Sequence, residues 1–125
     1  MSAPSSSRPA RISLRVDLAP SRRLGPGKVA LLEAVEATGS ISGAGRAMKM
    51  SYRRAWLLID DLNRMFRLPV VEASTGGARG GGARLTATGR AVVAHYRAIE
   101  SKAMGASSLH VEAIRDLAND PSSDA

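Results

Sequence analysis

From Arg11 to Leu18 the chain alternates polar and apolar residues, Arg11-Ile12-Ser13-Leu14-Arg15-Val16-Asp17-Leu18. That period of two predicts a half-buried strand with Ile12, Leu14, Val16 and Leu18 facing a core. Pro20 to Gly27 reads as a connection, and beyond it the period lengthens. Val29, Leu31, Leu32 and Val35 share one stripe, so a helix is expected from Pro26 to about Ala37, with Gly39 as its stop. A short second helix is expected over 43–48, with Ser42 as its N-cap. Two glycines are unfavourable in so short a helix, but they permit close approach of a neighbour. Lys49-Met50 forms a turn, and Ser51 caps a third helix over about 51–66. Its Ala55, Leu58, Ile59, Leu62, Met65 and Phe66 recur at helical spacing, whereas Tyr52, Arg53, Arg54 and Leu57 point outward near its start. Trp56 is expected to be partly buried.

Pro69 closes the helical region. Val70-Val71-Glu72 and Ala83-Arg84-Leu85 then read as short strands bracketing a glycine-rich loop. Thr86 caps a fourth helix from Ala87 to about Met104. Gly105-Ala106-Ser107-Ser108 is expected to interrupt it before a last amphipathic helix, Leu109 to Leu117. The pattern predicts a mainly α fold with a small β wing: a winged helix-turn-helix with a long C-terminal dimerisation helix. The expected organisation is a disordered tail over 1–10, the winged domain over 11–104, a C-terminal dimerisation helix over 105–118 and a tail over 119–125.

Charge sharpens this picture. The net charge is +7, and residues 46–90 hold nine of the eighteen basic side chains against three acidic ones. The excess sits on the helix-turn-helix and the wing, where a polyanion would lie. An arginine at the start of the third helix can present its planar fork to guanine O6 and N7, and Ser51 with the helix N-terminus can meet a phosphate. The candidate DNA-binding residues are therefore Ser42, Ser51, Tyr52, Arg53, Arg54 and Leu57, with Thr75, Arg79 and Arg84 in the wing, residues 74–84, on the backbone or minor groove. The expected function is that of a sequence-specific DNA-binding transcription regulator, with double-stranded DNA as its partner. A weakly specific architectural DNA-binding protein and an adaptor that binds protein through its basic face are the alternatives.

Other chemistry finds little support. The glycine-rich loop lacks the lysine and hydroxyl residue of a nucleotide-binding P-loop, since Gly82 is followed by Ala83-Arg84. His95 and His110 have no carboxylate at metal or catalytic spacing, and Asp60-Asp61 reads as a solvated face near Arg64. No catalytic residue, metal ligand or cofactor is expected, so the chain is not read as an enzyme. There is no cysteine, and no apolar run approaches the ~20 residues of a membrane span. A cytoplasmic protein is expected. With four aromatic residues, the packing is expected to fall to Leu, Ile, Val, Met and Ala.

Over about residues 11–104 the chain resembles the N-terminal DNA-binding domain of the ModE-type molybdate-responsive regulators. The likeness rests on Gly39-Ser40-Ile41-Ser42, Met50-Ser51-Tyr52-Arg53, Ala55-Trp56, Asn63, and the wing Thr75-Gly76-Gly77 with Gly80-Gly81-Gly82-Ala83 and Leu85-Thr86. Leu85-Thr86-Ala87-Thr88-Gly89 is more loosely similar to LysR-type winged helices. The resemblance implies a homodimer reading a palindromic site with two recognition helices. Full-length members of that family carry a C-terminal oxyanion module, which this sequence does not include, so molybdate binding is not expected of this polypeptide.

Overall fold

The computed structural model describes residues 10–74 and 81–119. The expected tails and the wing tip, including Thr75 and Arg79, lie outside the described residues. The order of elements is β1 (Val16–Ala19), β2 (Arg22–Leu24), α1 (Pro26–Thr38), α2 (Ile41–Ala47), α3 (Tyr52–Met65), β3 (Val71–Ser74), β4 (Gly82–Leu85) and α4 (Ala87–Leu117). This is the mainly α fold with a β wing that the pattern predicts. Among the described residues two compact units divide the chain, one within residues 14–97 and one formed by residues 98–119 with residues 10–13.

The larger unit contains the core. Val29, Leu31, Leu32 and Val35 of α1 are fully buried, and they meet Ala44 of α2 and Ala55, Ile59, Leu62 and Met65 of α3. Pro26 starts α1 at the position where a missing N–H is harmless, and Gly39 ends it. The largest fully buried side chain is aromatic: Tyr96 is 1% exposed, and its hydroxyl donates to the Leu14 carbonyl at 2.7 Å. The expectation that aliphatic residues alone fill the core is therefore corrected. A tyrosine can be buried because its hydroxyl finds an acceptor on the N-terminal segment. Arg97, next in the helix, reaches Glu33 of α1 with Nε to Oε2 at 3.1 Å. This guanidinium, through its hydrogen bond and its charge, holds Glu33 below the usual carboxylate range.

The first strand is shorter than its alternation predicts. It pairs antiparallel with β2, which the pattern did not mark, with an irregularity between Asp17 and Ala19. Leu18 is the extra residue at this bulge, without a cross-strand partner, and although expected inward it is 49% exposed.

Ser42 does not cap α2. The cap is Ser40, whose Oγ accepts from Gly43 N at 2.8 Å, so the helix starts two residues earlier and Ser42 lies in its first turn. The expected break in α4 is also absent. The helix runs through Gly105-Ala106-Ser107-Ser108 as 31 unbroken residues. One glycine costs a helix about 1 kcal/mol, and without a proline the flanking helix formers carry it across. In the smaller unit, Ile12 N donates to Met104 Sδ at 3.3 Å.

The start of α4 is fixed by a close approach. Thr86 caps it, its Oγ1 accepting from Gly89 N at 3.0 Å while its hydroxyl donates to the Pro69 carbonyl at 2.6 Å. A Cβ on Gly89 would stand 2.1 Å from the Val70 carbonyl oxygen, which is backbone and cannot step aside. Gly89→Ala should therefore destabilise the fold by roughly 3 kcal/mol, the upper range for overpacking. Thermal melting of the two proteins measures this, and an unchanged transition would refute the close approach.

Candidate nucleic-acid interface

The helix-turn-helix is built from α2 and α3. Gly43 and Gly45 are buried because α2 lies tight against its neighbours: a Cβ on Gly43 would fall 2.8 Å from Thr38 Cβ, and one on Gly45 3.3 Å from the Met50 carbonyl oxygen. The turn places Lys49 at a left-handed φ of 58°, and Met50 N closes it by donating to the Gly45 carbonyl at 2.9 Å. A lysine tolerates this conformation at some cost, since its Cβ crowds the backbone there.

Ser51 begins α3 with its Oγ accepting from Arg54 N at 3.1 Å. Ala55, Ile59, Leu62 and Met65 turn inward. Tyr52, Arg53, Arg54 and Leu57 are all exposed, as expected, and with Ser51 they form a polar and basic end on the helix. Among the described residues neither arginine has a side-chain partner. Ser42 is exposed on α2, where its Oγ accepts from Arg46 Nη1 at 3.0 Å. Ser42 and Arg46, one turn apart on α2, and Lys49, in the turn that follows, are all exposed. Arg46 went unmarked in the sequence because a charged residue in a short helix carries no pattern of its own; its four-residue spacing from Ser42 was the available signal, and Lys49 had none.

The wing stands beside α3. β3 and β4 pair antiparallel with Val71 opposite Leu85, Glu72 opposite Arg84 and Ser74 opposite Gly82. Val71 and Leu85 enter the core, so Glu72 and Arg84 face out. They form an ion pair, Arg84 Nε to Glu72 Oε2, at 2.9 Å. The base of the wing is tied to α1, with Ala83 N donating to the Gly39 carbonyl at 2.9 Å and Leu85 N to Glu36 Oε1 at 3.2 Å. A cleft of about 210 Å³ separates the wing from α3, with Trp56 and Asp60 on one wall and Glu72 and Ala73 on the other. Trp56, expected to be partly buried, lines this cleft but is exposed, at 45%. Asp60 pairs with Arg64 at 3.1 Å, one turn apart, and Asp61 with Lys28 at 3.5 Å.

A family described as "Bacterial regulatory helix-turn-helix protein, lysR family" matches residues 27–90, the span from α1 through the wing to the start of α4. The chain belongs to this family. The winged helix-turn-helix of this chain is that of a DNA-binding transcription regulator of the ModE and LysR kind. It is 40% identical over 96 residues to the molybdenum-pterin-binding protein MopA of Rhodobacter capsulatus, covering 74% of this chain and 36% of that one. It is 43% identical over 91 residues to the molybdenum transport protein ModE of Azotobacter vinelandii, covering 73% and 33%. With the DNA-binding transcriptional dual regulator ModE of Escherichia coli K12 it shares 37% over 71 residues, covering 57% and 27%. The chain thus spans about a third of the length of these relatives. No helix among the described residues is long and apolar enough to cross a membrane.

One residue that holds this winged domain together was legible only as a shared position. Asn63, in the last turns of α3, accepts on Oδ1 from Val70 N at 2.8 Å and Val71 N at 3.0 Å, and its Nδ2 donates to the Val71 carbonyl at 3.3 Å. Val70 is fully buried, so its N–H has no access to water. Asn63→Ala should cost about 2–3 kcal/mol through the orphaned amides. It should also accelerate hydrogen exchange at Val70 and Val71 more than at α1. Exchange mass spectrometry resolves the two regions, and uniform behaviour would contradict a local clamp.

Proposed function

We propose that the chain reads a specific duplex sequence with the N-terminal end of α3 in the major groove, and that it regulates transcription from that site as a homodimer. The observation that carries the proposal is the exposed end of α3, where Ser51, Tyr52, Arg53, Arg54 and Leu57 surround an open helix N-terminus. Arg53 and Arg54 supply base-edge donors, and Ser51 with the first backbone N–H groups meets a phosphate. Ser42, Arg46 and Lys49 border the same turn and track the backbone on one side, with Arg84 of the wing on the other. Thr75 and Arg79 extend that wing contact. Phosphate contacts set register and affinity, and the arginines of α3 set sequence. Such a protein works in the bacterial cytoplasm.

Selection of bound duplexes from a random library tests the proposal. A palindromic consensus should emerge, bound at least about a thousandfold tighter than random duplex. Arg53→Ala should then cost roughly 1–3 kcal/mol and relax preference at one position of each half-site. Arg46→Ala should weaken all duplexes alike and reduce the salt slope by about 1. Equal, sequence-blind losses from both would assign the chain to architectural binding instead.

The dimer reading rests on the far part of α4. Leu109, Ile114 and Leu117 are 84%, 68% and 87% exposed. At 3.6 residues per turn Ile99, Ala103, Ile114 and Leu117 fall on one side of the unbroken helix, so a second copy can cover them along a two-fold axis. Light scattering at micromolar concentration should give twice the 13.1 kDa chain mass. Ile114→Asp with Leu117→Asp should give the monomer and weaken palindrome binding. A wild-type monomer that binds the palindrome tightly would contradict this reading.

A further inference from the structure

We propose that Glu72 is an intramolecular competitor for the DNA backbone. Its carboxylate holds Arg84 in the free protein and must yield it to a phosphate on binding, so Glu72 limits affinity for duplex DNA of any sequence. The proposal rests on the reading of the wing as a backbone contact.

Three acidic residues lie in the basic stretch 46–90. Two of them are held by cations outside the candidate interface: Asp60 by Arg64 and Asp61 by Lys28. The third, Glu72, is held by Arg84, which is itself a candidate DNA contact. The strand register makes this pairing unavoidable. Glu72 and Arg84 are directly opposite, and the burial of Val71 and Leu85 turns both to the same outward face. The side chains are 45% and 64% exposed, so an incoming phosphate can reach them. Glu72 also forms a wall of the cleft beside Trp56, which places the carboxylate next to α3.

A guanidinium has five N–H donors, and here Nε is engaged by the carboxylate. A phosphate that takes the remaining donors brings a second anion to one cation, and the two anions repel. A phosphate that takes Arg84 entirely leaves a bare carboxylate close to the DNA. Either way the gain from Arg84 is a difference of two pairings. The salt dependence carries the same signature. Arg84 releases a counterion from DNA, but the freed carboxylate gathers a cation, so the net release approaches zero. With Glu72→Gln the amide keeps the shape without the charge, and the release is recovered.

Fluorescence anisotropy with one selected and one random duplex, across a salt series, tests this with the full chain. Glu72→Gln should bind both duplexes up to about fivefold tighter at low salt, the range expected for freeing one exposed ion pair. Its log K against log salt should steepen by about 0.9 per wing. Arg84→Ala should weaken both duplexes, and Glu72→Gln/Arg84→Ala should bind like Arg84→Ala alone. If Arg84→Ala weakens binding but Glu72→Gln does not tighten it, the competition is overturned while the wing contact stands. A gain that persists in the double variant also overturns it, since the carboxylate then acts on the DNA without Arg84. If Arg84→Ala binds like the wild type, the wing reading itself fails and takes the proposal with it.

Discussion

The peptide of Val70 is where this domain is joined. Its N–H is accepted by Asn63 of α3, its carbonyl accepts from Thr86 N at 3.0 Å, and Gly89 of α4 packs against that same carbonyl. Val70 itself is fully buried. Three elements that differ in direction and sequence position therefore share one residue of backbone. Each bond is an ordinary hydrogen bond, worth about 1 kcal/mol net, but losing a partner strands a buried polar group at greater cost. That asymmetry makes the junction stiff, and a stiff junction is what a two-part reading head needs. α3 and the wing can address one duplex together only if the angle between them is set before DNA arrives.

The same logic explains the economy of α2. Seven residues with two buried glycines would be a poor helix alone. Packed between α1 and α3, they hold Ser42 and Arg46 exposed, with Lys49 in the turn that leads to α3. Tertiary contact thus offsets weak local propensity, and it does so beside the exposed basic end of α3.

Much of this was legible in the sequence. α1 and α3 announce themselves by periodic stripes, Ser51 and Thr86 by their cap positions, and the wing by two β-prone segments around glycines. What stayed hidden depends on contacts distant in sequence. Nothing in the sequence around Tyr96 marks its burial, which depends on the Leu14 carbonyl accepting from its hydroxyl. β2 is three residues long with two arginines, too short for a period to show. The Glu72–Arg84 pair depends on strand register, which composition does not set. Gly105 and its serines suggested a break, but local propensity of ~1 kcal/mol does not stop a helix that is supported on both sides. At the candidate site the α3 residues were readable because cap and stripe define which side is outward, whereas Arg46 needed α2 to begin at Ile41 before its pairing with Ser42 could be seen, and Lys49 needed the turn.

The central claim is that α3 reads base edges in the major groove. Methylation of guanine N7 tests it most directly, because N7 lies in the major groove and is one of the two atoms an arginine fork engages. The selected duplex, lightly methylated and separated into bound and free fractions, should show exclusion of N7-methylated guanines from the bound fraction at matching positions of both half-sites. With Arg53→Ala that exclusion should disappear at one position per half-site. Binding that is indifferent to N7 methylation throughout the site would contradict the account, since the protein would then be holding the backbone without reading the groove.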